Sequence, residues 1–193
     1  GRLASRIVAD AARFDGALTE QDLAEHQGFW TDCIQQDFHG LTVHEIPPNG
    51  QGIAALQILN ILENFEIGKL RPNSAEHLHL FIEAKKMAFE ARAQYYADMD
   101  FADVPVGWLI SKAYARWRAA QIDPGRARQH VTYGDPQLDS DTVYVTAADG
   151  QGNMISLIQS IYSLFGSSIC PHGVGFAMQN RGRAFSLDPR HRN

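Results

Sequence analysis

Thr142-Val143-Tyr144-Val145-Thr146-Ala147-Ala148-Asp149-Gly150-Gln151-Gly152-Asn153-Met154-Ile155-Ser156 is the stretch on which the fold turns. Residues 142–148 are β-branched, aromatic or small, which suits a pleated strand. Residues 149–153 combine Asp, two glycines and Asn, the chemistry of a reversing turn. Met154 to Ser160 then reads as the returning strand, and Val174 to Met178 as a third. Upstream of Thr142 the apolar period is helical instead. Helices first and a β-meander afterwards predict layered α and β, an α+β class, and argue against alternating βαβ units.

Working outward, Ile7, Val8, Ala11, Ala12 and Phe14 recur near helical spacing, and Gly16 follows as a stop. Thr19 is placed to cap a short helix through Asp22. Two strands, 30–37 and 41–46, are expected around the turn His39-Gly40, followed by the loop Pro47-Pro48-Asn49-Gly50-Gln51-Gly52. Ile53, Leu56, Ile58, Leu59 and Leu62 predict the next helix. The longest helical signal runs from Ser74 to about Tyr96, with Asn73 as N-cap and Leu78, Phe81, Met87, Ala88 and Ala91 on its apolar side. A further helix is expected over Ser111 to Gln121, ending before Asp123-Pro124-Gly125. Residues 124–141 have almost no apolar periodicity and read as an exposed, flexible connection.

With 193 residues, 45% hydrophobic and 20% charged, the composition is that of a globular protein with one substantial core. The formal net charge of −5 opposes a nucleic-acid partner, since no basic stripe is available to neutralise phosphates. Arg116 to Arg128, the richest basic stretch, reads as a solvated helix face. No apolar run reaches the roughly 18 residues that a membrane span needs. Cys33 and Cys170 form no CxxC pair and are expected as two buried free thiols, with one long-range bridge left open. His77 and His79 at i, i+2 point to different faces of a helix, and His39, His44 and Glu45 are no better arranged, so neither metal nor cofactor is expected. Glu83/Lys86 and Glu90/Lys86 read as surface pairs at helical spacing.

Taken alone, Thr142 is a strand threonine with no claim to chemistry. Its neighbourhood changes that. The stretch from Thr142 to Ser156 resembles the start of the small subunit of gamma-glutamyltranspeptidases, where Thr-Thr-His leads into a hydrophobic strand, an Asp-x-x-Gly-Asn turn and a second strand. Ser160-Ile161-Tyr162-Ser163-Leu164-Phe165-Gly166-Ser167 is similar to the same family's Thr-x-Asn-x-x-Phe-Gly-Ser/Thr, and Gly175 to Phe185 to its Gly-hydrophobic-Asn-Asn region. Upstream, Gly16 to Leu23, Pro47 to Gly52, and His77 through Arg92 to Asp98 resemble further family motifs in the same order.

The resemblance implies part of a four-layer αββα sandwich of the N-terminal nucleophile hydrolases. Residues 1–141 would be the C-terminal portion of the large-subunit region, and 142–193 the N-terminal portion of the small-subunit region. It also implies that the precursor cuts itself between Asp141 and Thr142, freeing Thr142 as nucleophile. The chemistry is coherent: a threonine hydroxyl needs a base, and the α-amino group freed by cleavage has a reference pKa near about 8. The same alignment makes Ser160 the hydroxyl partner of the nucleophile and gives Tyr162, Asn180 and Arg181 substrate-binding positions. Arg92 and Asp98 are expected to support the fold.

The pattern also departs from the family. Where an Asn-Asn-x-x-Asp-Asp-Phe stretch would hold a substrate ammonium, this chain has Gln179-Asn180-Arg181-Gly182-Arg183-Ala184-Phe185. A buried ammonium without its counter-ion costs several kcal/mol. The Arg-Gly-x-x-Phe-Ser-Leu-Asp-Pro form resembles the branch with cephalosporin acylase-like members, so acyl groups lacking an α-ammonium are expected alongside the γ-glutamyl reading. The expected substrate is a small γ-glutamyl or related acyl amide, as in glutathione metabolism, and the expected partner is the rest of the same precursor, with a homodimer left open. The resemblance puts the carboxylate-clamping Arg upstream of Gly1 and the oxyanion-hole segments beyond Asn193, so the chain alone is expected to be inactive. An inactive homologue is the rival reading, and bacterial cytoplasm and periplasm both fit the resemblance.

Overall fold

The computed structural model describes residues 1–129 and 142–191, with Thr142 described by its backbone. In chain order the elements are α1 (Arg2–Ala12), α2 (Glu20–Glu25), β1 (Ile34–Phe38), β2 (Leu41–Glu45), α3 (Gly52–Leu62), α4 (Ala75–Tyr95), α5 (Val106–Leu109), α6 (Lys112–Ala119), β3 (Thr142–Ala148) and β4 (Met154–Ser160). Helices precede the later hairpin, as the change of period predicts. Packing groups residues 30–129 with 187–191 in one unit and residues 1–29 with 142–186 in another. The expected boundary between 141 and 142 is one of covalent processing, so it need not coincide with these packing units.

The first unit is built on α3, which buries Ile53, Leu56, Ile61 and Leu62 against α4 and α6. Two polar residues inside this apolar helix, Gln57 and Asn60, are each 1% exposed. Both finish the end of α5. Gln57 Nε2 donates to the Leu109 carbonyl at 3.2 Å and Asn60 Nδ2 to the Ile110 carbonyl at 2.8 Å. Helix ends leave such carbonyls without intrahelical partners, and burial makes leaving them unpaired costly. The Tyr96 hydroxyl donates to Gln57 Oε1 at 2.7 Å, and burial pushes its pKa up.

α4 differs from expectation in its face and its cap. Ser74, not Asn73, is the N-cap, its hydroxyl accepting from the His77 N–H at 3.3 Å. Asn73 sits one step earlier at φ +61, a left-handed conformation that Asn tolerates. The buried stripe is Leu80, Ala84, Met87, Ala88 and Ala91, whereas Leu78 and Phe81 are exposed. Glu83 lies in that stripe at 2% exposure and pairs with Lys86 at 2.7 Å, so this is no surface pair. Glu90 does not pair with Lys86. It takes Arg118 at 3.1 Å and Arg128 at 3.4 Å.

Arg118 accordingly departs from the solvated-face reading: it is buried, its Nε donates to the Tyr114 hydroxyl at 2.8 Å, and its guanidinium lies over the rings of Tyr114 and Trp117. The described part of the 124–141 connection, residues 124–129, is also held. The Arg128 N–H donates to Glu83 at 3.2 Å and Lys86 donates to the Arg128 carbonyl at 3.0 Å. The rest of that connection, with Asp141, lies outside the described residues.

β1 and β2 pair antiparallel from Ile34↔Glu45 to Phe38↔Leu41. The first strand starts at Ile34 instead of residue 30 because its partner ends at Glu45, where Ile46-Pro47-Pro48 cannot continue a ladder without proline N–H groups. In the second unit, Thr19 and Asp22 form a reciprocal capping box at the start of α2. α1 is tied to residues 172–173: Arg6 donates to the Gly173 carbonyl at 2.7 Å, and the Asp10 carboxylate accepts the His172 N–H. Hydrogen bonds from His172 and then Arg13 hold the Asp10 carboxyl below its ordinary value. Cys33 and Cys170 are both free and exposed, not buried, since each lies in irregular chain.

Candidate active site

β3 and β4 run antiparallel in full register from Thr142↔Ser160 to Ala148↔Met154. The turn between them is fastened by Asp149, whose carboxylate accepts from the N–H groups of Gln151 and Asn153 at 2.9 Å each and from Asn153 Nδ2 at 2.7 Å. Those bonds, Asn153 first, hold the Asp149 pKa below its usual value. Gly152 takes φ +85 there, a conformation that glycine adopts without strain. With the turn set, the register follows, and position 142 faces position 160 across the ladder.

The register also sorts the side chains. Tyr144, Thr146, Ser156 and Ser160 share one face with position 142, and the Tyr144 hydroxyl meets the Ser156 hydroxyl. Val143, Val145, Ile155 and Leu157 share the other. Among the described residues, a shallow depression of about 340 Å³ lies at the turn end of this hairpin, against Thr146 and Ser156. Another, about 440 Å³, is lined by residues 99–104. Neither reaches the strand end where Thr142 and Ser160 face each other.

Beyond Ser160 the chain breaks from the strand. Tyr162 takes φ +80 and its N–H donates to the Ser160 hydroxyl at 2.9 Å. A left-handed conformation in a non-glycine residue costs about 1–3 kcal/mol and persists only where its surroundings impose it. Asn180 supplies much of that. Its Nδ2 donates to the carbonyls of Gly166 at 2.9 Å and Ser163 at 3.3 Å, its Oδ1 accepts the Ser163 N–H at 3.1 Å, and its own N–H reaches the Ile161 carbonyl at 3.2 Å. Both amide hydrogens are therefore engaged in holding the 161–166 loop. Arg181 follows at the start of a 3₁₀ turn, Arg181–Ala184, with its guanidinium carbon 4.7 Å from the centroid of the Tyr162 ring.

The third strand expected over 174–178 is absent. The Ser167 N–H donates to the Met178 carbonyl and the Met178 N–H to the Ile169 carbonyl, both at 2.8 Å, but these isolated bonds extend into no ladder. Gly173 at φ +71 and Gly175 at φ +82 bend the segment out of extended conformation. Sequence reasoning missed the part played by Gly166. It takes φ +63, and a Cβ there would collide with the Met178 carbonyl oxygen. The Phe-Gly-Ser motif was the available signal. Gly166→Ala is expected to cost about 2 kcal/mol or more and to lower the thermal midpoint of the chain, while an unchanged midpoint would refute this reading.

Among the described residues no group of three or more His, Cys, Asp or Glu is placed to hold a metal ion, and no helix is long and apolar enough to cross a membrane. His79, weighed as a metal ligand, instead bonds the Asp123 carbonyl at 2.8 Å. What the geometry assembles is a pair of facing strand positions bearing hydroxyl residues, a constrained tyrosine and a stacked arginine.

Known proteins carry the same order. All 193 residues match the gamma-glutamyltranspeptidase family. A glutathione hydrolase-like YwrD proenzyme of Bacillus subtilis is 37% identical across 100% of this chain and 36% of its own length. A glutathione hydrolase proenzyme of Escherichia coli is 32% identical across 98% of this chain and 33% of its own. The crystal structure of a cephalosporin acylase from Bacillus halodurans superposes with a TM-score of 0.80 at 40% identity, covering 99% of this chain and 34% of that one. The chain thus spans about a third of the length of these relatives, and it belongs to the gamma-glutamyltranspeptidase family.

Proposed function

We propose that this chain is the segment of a longer precursor that carries the self-cleavage point and the nucleophile of an acyl-amide hydrolase or transferase. Residues 1–141 would belong to the large-subunit region and 142–193 to the small-subunit region, within a four-layer αββα sandwich. The observation that carries the reading is the β3–β4 register, which sets position 142 opposite Ser160. In the precursor the Thr142 hydroxyl attacks the Asp141 carbonyl, the acyl group shifts from nitrogen to oxygen, and water hydrolyses the ester. This frees the Thr142 α-amino group, a base whose reference pKa of about 8 is matched to proton transfer near neutrality.

In the mature site that amine takes the proton of the Thr142 hydroxyl as it attacks the donor amide. The leaving amine departs with the proton, and the acyl ester passes to water or to a second amine. Ser160 would hydrogen-bond the nucleophile from across the ladder, and Tyr162 would line the substrate site. Asn180 positions Tyr162 and Arg181 through the bonds described above. The donors that fit are γ-glutamyl amides such as glutathione, or related acyl amides of the acylase kind.

Trapping tests the covalent step. The processed full-length enzyme is mixed with an excess of donor, quenched in acid and digested. The acyl mass is expected on the peptide beginning at Thr142. Turnover with the acyl group on another residue, or with no covalent adduct under any quench, would sink the assignment.

A further inference from the structure

The features just beyond Ser160 suit a negatively charged substrate group. The Tyr162 N–H is bonded to the Ser160 hydroxyl, which fixes the tyrosine two residues from the strand end. Its ring is a platform for Arg181, 4.7 Å away. Guanidinium donors lie in the plane of the group, so stacking occupies a face and leaves the bidentate fork open. Among the described residues neither Arg181 nor Arg183 is in an ion pair.

The charge distribution agrees. Between residues 142 and 186 the sole acidic side chain is Asp149. Its carboxylate is engaged by Asn153 and Gln151 at the opposite end of the hairpin from Ser160. Against it stand Arg181 and Arg183, both in the 3₁₀ turn that Asn180 anchors to the 161–166 loop. Within residues 142–186 this strand end offers a carboxylate the Arg181 guanidinium and offers an ammonium no acidic partner.

We propose that Arg181, laid on the Tyr162 ring, reads a carboxylate of the substrate and so determines specificity for anionic acyl amides. The proposal rests on the Thr142 reading for the position of the reacting carbonyl. Such a carboxylate can sit on the acyl half or on the leaving amine, and the test separates the two. Four amides are hydrolysed by the processed full-length enzyme: glutaryl anilide and its uncharged counterpart valeryl anilide, then valeryl 4-carboxyanilide and glutaryl 4-carboxyanilide.

Arg181→Ala is expected to lower kcat/KM for the charged member of one pair by about 10- to 100-fold relative to its neutral counterpart, mainly through KM. A glutaryl-to-valeryl effect assigns the carboxylate to the acyl half, and an effect of the 4-carboxyl assigns it to the leaving half. Arg181→Lys, which keeps the charge and loses the fork, should recover part of the loss. If the charged-to-neutral ratios stay within about twofold of the parent enzyme, the proposal is overturned.

Failure of the Thr142 reading would show separately, as a chain with no fragment beginning at Thr142 and no turnover of any amide. In that event binding of glutaramate against glutaramide to the same protein decides the matter. Preference for glutaramate that Arg181→Ala abolishes supports the proposal, and equal binding of the two by the parent protein overturns it.

Discussion

Thr142→Ala in the full-length precursor is expected to leave a single uncut chain and to reduce turnover of acyl amides by roughly 10⁴-fold or more, the scale on which loss of a nucleophile is felt. The substitution removes only the hydroxyl and methyl of the first residue of β3, so the hairpin itself should persist. Its turn is held by Asp149 and its ladder by six further register pairs from Val143↔Gln159 onward. An unaltered circular dichroism spectrum and thermal midpoint beside lost cleavage would separate chemistry from folding. Thr142→Ser, which keeps a hydroxyl, should restore cleavage in part. Residual turnover within tenfold of the parent, measured on protein free of contaminating hydrolase, would exclude Thr142 as nucleophile.

Glu90→Ala should be strongly destabilising to the helical unit, costing about 3 kcal/mol. The Glu90 carboxylate faces Arg118 and Arg128 together. Arg118 has a side chain only 9% exposed. Removing the carboxylate therefore leaves a buried guanidinium whose remaining contacts are the Tyr114 hydroxyl and two aromatic rings. For a unit of about a hundred residues that loss lowers the melting midpoint by roughly 12 °C or more. The reverse truncation, Arg118→Met, should cost less, about 1 kcal/mol, because Glu90 keeps Arg128 and the methionine fills the apolar space between Tyr114 and Trp117. Equal costs for the two variants would contradict this asymmetry.

The sequence made the hairpin legible because its signals agree locally. β-Branched strands, an Asp-x-x-Gly-Asn turn and a change of apolar period all point to one register, and that register puts Thr142 opposite Ser160. The α4 face was less legible for a definite reason. Glu83 is buried within the apolar stripe, so the true line through Leu80, Ala84 and Met87 reads as interrupted, while exposed Leu78 and Phe81 suggest a false one. Arg118 misled in the same way, since pairing with Glu90 and stacking on Tyr114 make burial of a charge tolerable in a manner that composition does not announce.

The segment after Ser160 was the hardest to read. Val174 to Met178 has strand-like residues, but Gly173 and Gly175 in left-handed conformations bend it away from any ladder. The irregular loop at 161–166 is specified by Asn180, a residue 14 to 19 positions downstream of that loop, whose amide bonds no local pattern reveals. Arg181 was legible as a departure from the family motif, and its stacking on Tyr162 was not, because the contact spans 19 residues of irregular chain.

The most direct test of the central claim is intact-mass analysis with N-terminal sequencing of the purified full-length precursor after incubation at neutral pH. The account predicts two chains, the smaller beginning Thr-Val-Tyr-Val at Thr142, in amounts that rise with time and independently of protein concentration, as an intramolecular cut requires. A single uncut chain, or a small fragment beginning at any other residue, would contradict it.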